Sequence, residues 1–464
     1  MQQESWKRTV FKTDEKMSTA IKELSQTHAQ KFHSKNGFLG TELEFPIVAS
    51  SPDRLGRALG IEEIMSIYRQ IGSSEGWRLS PQGLDIETNL KEGTVSINAE
   101  AGFSTMEIAI PPTKTIERTG EIIDQAVAAA GVAVHSHGAY MLGYGIHPVS
   151  PPSVDLYCPR DRSTAMRFIR PVLTHIQNDD SDISNTVSAS VQFHVGAFDP
   201  EHAVRLLNLY NLLSPEFIAL SANSRISRGR DSGNTDLRNR FYEMHTQYPA
   251  SAGVAPRIES FEDYINKLQH MPILLLKRGG RYVVVTDGVT FGQFMERGSA
   301  TAVYANENKP FIITPEPDDI DVIESMVRWE ARIKGTTGTI ELRTCSMQQS
   351  KSDILALGSV VLGLSANIDE AEALVLGRSR DEAQHAKEQI SKYGIKGHKE
   401  IRASAHRMLS VAKEGLESLG DKTRYLEILS QRLRDSVTPS DKSLEVYKKE
   451  GIAPFIEAVR FSMD

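Results

Sequence analysis

Residues 40–45 read Gly-Thr-Glu-Leu-Glu-Phe, so Glu42 and Glu44 stand two apart in a stretch of β-favouring residues. On a strand, residues two apart point to the same side and their carboxylates converge. Such a pair suits a hard divalent cation, which offsets the cost of burying two acids; the alternative is the solvated face of an edge strand. Residues 99–112 add Glu100 before a glycine-containing turn, and Glu107 in an otherwise apolar strand with Met106, Ile108 and Ile110 on its other face. In residues 186–196, Ser188, Ser190, Gln192 and His194 share one face and Val187, Val191, Phe193 and Val195 the other. That ladder is either a solvated sheet face or an inward-facing set of oxygen and nitrogen donors. Residues 338–344 repeat the pattern, Thr339, Glu341 and Arg343 alternating with Ile340 and Leu342. An acid beside an arginine is an ion pair, or a guanidinium fork held ready for phosphate or carboxylate.

Four strands with one polar and one apolar face each argue for a funnel lined by the polar faces. Five glutamates with an imidazole and an amide suit two or three Mg²⁺ or Mn²⁺ ions, whereas zinc would call for more His or Cys. Arginines beside such ions suit phosphoryl transfer, which depends on positioning and charge neutralisation. No Gly-x-x-x-x-Gly-Lys-Ser/Thr, Gly-x-Gly-x-x-Gly or His-Glu-x-x-His occurs, so P-loop, Rossmann and zincin chemistry lack support.

The elements that must carry these groups are strands at residues 38–48, 94–98, 104–110, 188–195, 281–286 and 338–344, each bounded by turn-forming residues. Helices are expected at 61–71, 116–130, 200–213, 261–268 and 318–331, and a polar surface helix at 14–32 ends before Asn36-Gly37. Strands and helices follow no βαβ rhythm, which predicts an α+β fold with an antiparallel sheet. No proline occurs between Pro317 and Pro439, and from Ile354 the chain is rich in helix formers. This tail reads as helical, with breaks at 367–373 and 394–399 and a turn at 438–442 before a last short helix. The expected division is an N-terminal extension over 1–36, a catalytic domain over 37–370 and a helical region over 371–464.

The chain has 464 residues, 60 acidic against 53 basic, and a net charge of −7 that argues against general nucleic-acid or anionic-membrane binding. Cys158 and Cys345 fit neither a disulfide framework nor a zinc site. No apolar run reaches the roughly 18 residues of a membrane span, and the polar residues 1–8 are not a signal peptide. The expectation is a cytoplasmic protein with small-molecule partners; a homo-oligomer is compatible with it. His135 and His137, two apart, read as a structural or surface pair, with metal ligation on a strand as the alternative, and the cluster of Arg225, Arg228, Arg230, Arg238 and Arg240 as an anion-binding or a solvated loop.

Taken in order, these segments resemble the glutamate–cysteine ligase type 2 and carboxylate–amine ligase families of the glutamine synthetase superfamily. The likeness is carried by Gly40, Glu42 and Glu44; by Glu100, Gly102 and Glu107 running into prolines; by Gly145-Ile-His-Pro148; and by Ser190-Val-Gln-Phe-His-Val-Gly196. Ala222-Asn-Ser224 with Arg238 downstream, and Gly338-Thr-Ile-Glu-Leu-Arg343 with Trp329 and Arg332 before it, complete it over roughly residues 38–345. Two departures stand out: Ser224-Arg225 where Ser-Pro is usual, and Asp-Leu-Arg238 where Ser-x-Arg is usual.

The resemblance implies an antiparallel sheet curved into a half-funnel, with ATP at one end, Mg²⁺ or Mn²⁺ in the middle and the amino-acid substrate at the other. It implies metal ligation by Glu42, Glu44, Glu100, Glu107 and Glu341, with Gln192 as a further ligand. His194 and Ser190 would lie at the nucleotide, Arg343 and Arg332 at the transferring phosphoryl group, and Arg238, His147 and Asn223 at the substrate. The expected activity is an ATP-dependent carboxylate–amine ligase forming a γ-glutamyl-type amide through an acyl phosphate. The alternatives are a guanidino kinase-like phosphotransferase and a catalytically silent ATP- or metal-binding protein.

Overall fold

The computed structural model describes residues 19–33, 37–173, 180–244, 251–307 and 309–464. Alternating polar and apolar residues fold into an open antiparallel sheet of nine strands: β1 (Leu39–Ala49), β2 (Arg78–Leu79), β3 (Asp85–Leu90), β4 (Gly93–Ala99), β5 (Thr105–Thr113), β6 (Ala139–Met141), β7 (Val191–Gly196), β8 (Ala331–Lys334) and β9 (Thr339–Leu342). Their order is β8-β9-β7-β1-β5-β4-β3-β2, and β6 pairs with the end of β1. The sheet does not close into a barrel, because β8 and β2 remain at its edges.

One face of the sheet is predominantly apolar. Leu39, Leu43 and Phe45 of β1, Met106, Ile108 and Ile110 of β5, Val191, Phe193 and Val195 of β7, and Ile340 and Leu342 of β9 are all buried. Helices Ile116–Ser136 and Lys351–Ala366 cover this face. At Gly358 the second helix comes so close that an added Cβ would stand 3.0 Å from Leu39 and 3.1 Å from Phe193. The other face is left to the polar half of the alternation.

The fold is thus α+β, an antiparallel sheet flanked by helices with a helical C-terminal region. That region packs seven helices onto the sheet domain, from Lys351–Ala366 to Ile452–Ala458. Its Ile390, Met408, Leu416 and Leu429 belong to the same hydrophobic core as the sheet. Ion pairs cross the seam, Arg378 with Glu216 at 2.7 Å and Lys387 with Glu330 at 2.9 Å, and Arg432 pairs with Asp353 at 2.5 Å within the helical region. Among the described residues no helix is long and apolar enough to cross a membrane.

Three sequence expectations need correcting. The helix over 318–331 ends at Met326; after it Val327 turns extended, Arg328–Trp329 forms a short strand, and Ala331–Lys334 becomes β8. Here strand pairing overrides helix propensity, of Arg328–Trp329 with Ala252–Gly253 and of Ala331 with Leu342 on β9. The break at 367–373 is confined to Asn367, and Ile368–Ala373 is helical, as its Glu and Ala content favours. The turn at 438–442 is the start of helix Pro439–Glu450, capped by Thr438 and Asp441. Of the N-terminal helix the structure describes Thr19–Ala29. Residues 14–18, the polar residues 1–8 and Asn36 lie outside the described residues.

Helices Lys351–Ala366 and Lys399–Ser418 cross at Gly363 and Gly415, where an added Cβ would overlap the carbonyl oxygens of Ala412 and Gly363 respectively. Gly415→Ala is therefore expected to cost about 1–3 kcal/mol through overpacking, against the gain in helix propensity. Gly131→Ala, in helix Ile116–Ser136 with nothing within 4 Å of an added Cβ, is expected to stabilise by up to about 1 kcal/mol. Urea unfolding of both variants checks the opposite signs.

Candidate active site

The register of the central strands turns four sequence-distant segments into rows across the polar face. Glu44 on β1 stands opposite Glu107 on β5, which in turn faces Asn98 on β4. Glu42 faces Gln192 on β7, and His194 faces Glu341 on β9, which faces Arg332 on β8. Two groups of donors result, the ligand atoms of each lying within 4.8 Å of one another: Glu42, His194 and Glu341, and Glu44, Glu100 and Glu107.

The first group is balanced by cations of the chain itself. Glu42 Oε1 lies 3.1 Å from His194 Nε2 and accepts from Lys334 Nζ at 3.1 Å. Glu341 accepts from Arg332 Nε at 2.6 Å and from Arg343. Burial pulls both pKa values upward and is outweighed in each case: His194 and Lys334 hold Glu42 at about 2, and Arg332 and Arg343 hold Glu341 well below the usual carboxylate range.

The second group lacks such partners; none of Glu44, Glu100 and Glu107 makes an ion pair among the described residues. Burial, then the charge of Glu100, pushes Glu44 up to about 7. Burial, then Glu42, Glu100 and Glu44, pushes Glu107 well above its ordinary value. Neutral donors hold Glu44 in place: the Ser190 amide at 2.6 Å, Ser190 Oγ at 2.7 Å and Gln192 Nε2 at 2.6 Å. Asn98 Nδ2 donates to Glu107 at 3.4 Å. Three clustered carboxylates, Glu44 buried and Glu100 and Glu107 half-buried, with few counter-charges are what a divalent cation with oxygen ligands would relieve, so the donor set fits a hard metal ion.

The residues singled out from sequence fall into two places. Glu42, Glu44, Glu100, Glu107, Glu341, Gln192, His194, Ser190, Arg332 and Arg343 all gather on this face. Gln192 offers its amide nitrogen to Glu44 and its oxygen to Arg343 Nη1 at 2.8 Å, leaving His194 as the nitrogen donor grouped with Glu42 and Glu341. Ser190 spends its hydroxyl on Glu44, so the structure gives it a positioning contact where sequence led us to expect a nucleotide contact. Arg238, His147 and Asn223 are fully buried and serve as braces. Arg238 donates to the carbonyls of Arg343 at 2.9 Å and Thr344 at 3.2 Å, and Asn223 to those of Gly143 and Met347. His147 Nε2 meets Thr105 Oγ1 at 3.2 Å, and burial lowers its pKa to about 4. Arg225 pairs with Asp231 at 2.9 Å. Burial pushes the Cys158 thiol up to about 11 and that of Cys345 up to about 12, so neither supplies a thiolate nucleophile.

Sequence reasoning missed Lys334 and Asn98. Both were within reach: Lys334 continues the alternation Arg332-Ile333-Lys334, and Asn98 that of Ser96-Ile97-Asn98. A cavity of about 720 Å³ opens beside Arg332 and Lys334, bordered by the β8–β9 turn with Thr336 and Thr337 and by Lys31 and Lys277. Its size falls in the range of small-molecule and cofactor sites. Acids also line it; Glu316 and Asp319 pair with Arg278, and Asp321 with Lys31.

Comparison with known proteins gives a consistent result. The model of a family described as glutamate-cysteine ligase family 2 matches residues 38–458. The chloroplastic glutamate–cysteine ligase of Brassica juncea is 24% identical over 408 residues, which cover 85% of this chain and 75% of that one. Its counterpart in Arabidopsis thaliana is 24% identical over 412 residues, covering 85% and 74%. Among solved structures, the glutamate–cysteine ligase of Francisella tularensis in complex with AMP superposes with a TM-score of 0.49 at 12% identity, covering 92% of this chain and 88% of that one.

The second donor group has a measurable consequence. Glu44 and Glu107 hold their protons more tightly folded than unfolded, so without metal their contribution to stability is present below the ordinary carboxylate value of 4.5. For Glu44 it is lost as pH rises through about 7, and it amounts to on the order of 3 kcal/mol. Metal-free protein is therefore expected to lose stability between about pH 5 and pH 8, and Mg²⁺ to raise Tm more at the higher pH. Thermal unfolding with EDTA and with Mg²⁺ checks this; an equal Mg²⁺ shift at both pH values would contradict it.

Proposed function

The chain belongs to glutamate–cysteine ligase family 2 and is an ATP-dependent ligase joining an acid to an amino acid; from that premise we propose that it forms a γ-glutamyl amide through an acyl phosphate. The observation that carries the proposal is the polar sheet face itself, on which two groups of metal-type donors stand beside Arg332 and Arg343. Glutamate as the acid and cysteine as the amine follow from the names of the relatives.

A carboxylate is a poor electrophile, so its oxygen must first become a leaving group. A carboxylate oxygen of the acid attacks the γ-phosphorus of ATP; the bond to the bridging oxygen breaks and ADP leaves. The amine then adds to the acyl carbon, phosphate departs with the electron pair of its C–O bond, and the amine gives up a proton. Both reactants of the first step are anions, so the main task of the site is to hold negative charges together.

In this reading Arg343 binds the transferring phosphoryl group, and Arg332 steadies Glu341 and meets the phosphate chain. The cavity beside Lys334 takes the nucleotide, with Lys31 and Lys277 at its border. Glu42, His194 and Glu341 hold one divalent cation, and Glu44, Glu100 and Glu107 another. When bound, Mg²⁺ or Mn²⁺ neutralises these carboxylates and screens the charge that develops on the phosphoryl oxygens. Ser190, Gln192 and Asn98 orient the acids without adding charge.

Hydroxylamine in place of the amine tests the acyl phosphate directly. ATP, glutamate and hydroxylamine are expected to yield a hydroxamate together with ADP and phosphate. Phosphoryl transfer to a guanidino compound with no phosphate release would point to a kinase instead. Arg343→Ala is expected to lower kcat about 100–1,000-fold, since it removes a donor at the developing charge. Glu107→Gln is expected to cost a comparable factor while leaving the circular dichroism spectrum unchanged. Near-normal turnover in either variant would contradict the assignment.

A further inference from the structure

The N-terminal helix Thr19–Ala29 lies before every motif of the catalytic sheet, yet its last turn reaches the β8–β9 hairpin. His28 is fully buried between Phe32 and Phe261, with its Nε2 2.8 Å from Glu324 Oε1. Tyr264 donates its hydroxyl to the same oxygen at 2.8 Å. Glu324 Oε2 accepts the backbone N–H of Gly335, the first residue of the hairpin turn, at 2.8 Å. A Cβ on Gly335 would overlap the His28 ring, so glycine is what permits this approach. Lys31, one turn further on, pairs with Asp321 at 2.8 Å.

A carboxylate left only 3% exposed is costly to bury, and a well-packed apolar residue would serve stability as well or better. What an apolar residue lacks is direction. Two carboxylate oxygens fix a backbone amide on one side, and a phenol and an imidazole on the other. His28, Asp321 and Glu324 also cluster as possible cation ligands, but Lys31, Tyr264 and the Gly335 amide already engage the two acids. The amide so fixed belongs to the residue after Lys334, whose Nζ contacts Glu42, and before Thr336 and Thr337, which border the cavity.

We propose that His28 and Glu324 are positioning residues of the nucleotide site, clamping the hairpin turn through Gly335 so that Lys334 and the turn backbone are preorganised for the ATP phosphates. The inference rests on the assignment of that cavity to ATP. It makes the N-terminal helix part of the catalytic unit.

Kinetics on the full chain with ATP and glutamate varied separately provide the test, paired with hydrogen–deuterium exchange over residues 334–338. Glu324→Ala and His28→Ala are expected to raise KM for ATP roughly tenfold, the worth of one charge-assisted hydrogen bond, while KM for glutamate stays within about twofold. Amide exchange over the turn should quicken. Glu324→Gln, which keeps an oxygen for Gly335, should recover most of the loss and stands in for Glu324→Ala if that variant does not fold. Gly335→Ala, whose methyl group would crowd both the His28 ring and Glu324 Oε2, should raise KM for ATP in the same way. An unchanged KM for ATP, or equal rises in both KM values, in variants that fold would overturn the inference while leaving the ATP site standing. No saturable ATP dependence in the unmodified chain would overturn the ATP assignment and this inference with it. In that case faster exchange in Glu324→Ala would mark the clamp as purely structural.

Discussion

The structure is organised around one electrostatic constraint, the gathering of five carboxylates on one sheet face. Like charges at this spacing repel strongly where little water screens them. The protein resolves the conflict differently on the two halves of the face. Glu42 and Glu341 are met by His194, Lys334, Arg332 and Arg343 and stay ionised. Glu44, Glu100 and Glu107 are met mainly by neutral hydrogen-bond donors, and two of the three are pushed towards the protonated form. The first half is a balanced ionic lattice; the second has a deficit of positive charge of the kind a divalent cation would offset.

The rest of the fold can be understood as what holds such a face open. The core of the sheet is on the opposite side, so the acids can be crowded without placing them in the main hydrophobic interior. Arg343 is secured from behind, because Arg238 and Asn239 hold the carbonyls of residues 343 and 344. Glu330, at the head of β8, is held by Lys387 from the C-terminal helices. These helices are therefore structural to the catalytic sheet, in keeping with the family match running through residue 458. Burying such pairs gains little net stability, but each fixes one geometry.

Much of the site could be read from sequence because a strand reports its faces with a period of two. The alternation through Glu42 and Glu44, Glu107, Gln192 and His194, and Glu341 and Arg343 shows which side chains share a face, and family resemblance shows that the faces meet. What alternation cannot show is register. That Glu44 faces Glu107 and Lys334 reaches Glu42, across 292 residues, depends on pairing partners rather than on local pattern. The same limit explains the error at residues 327–331, where a sequence compatible with a helix is recruited into strand pairing by Ala252–Gly253 and by β9. It also explains Arg238, His147 and Asn223. Their residue types suit substrate contacts; what the structure adds is that all three are buried, Arg238 and Asn223 on backbone carbonyls and His147 on the Thr105 hydroxyl.

The unequal halves of the face bear on how a nucleotide and its metal ions would enter. Five glutamates outnumber Arg332, Arg343 and Lys334 on the face, and the protons retained by Glu44 and Glu107 reduce the excess of negative charge. Arg343 Nη1 donates to both Glu341 and Gln192, so a phosphoryl group that drew on this nitrogen would loosen those bonds. Such an exchange leaves Glu341 short of positive charge, which a divalent cation can supply. The arrival of a phosphate anion and of a cation are then mutually favourable, each meeting the partner that the other exposes. A site with fully paired charges would bind neither well, and one with unpaired acids would not stay folded at neutral pH. Dividing the face into a balanced half and a deficient half satisfies both requirements.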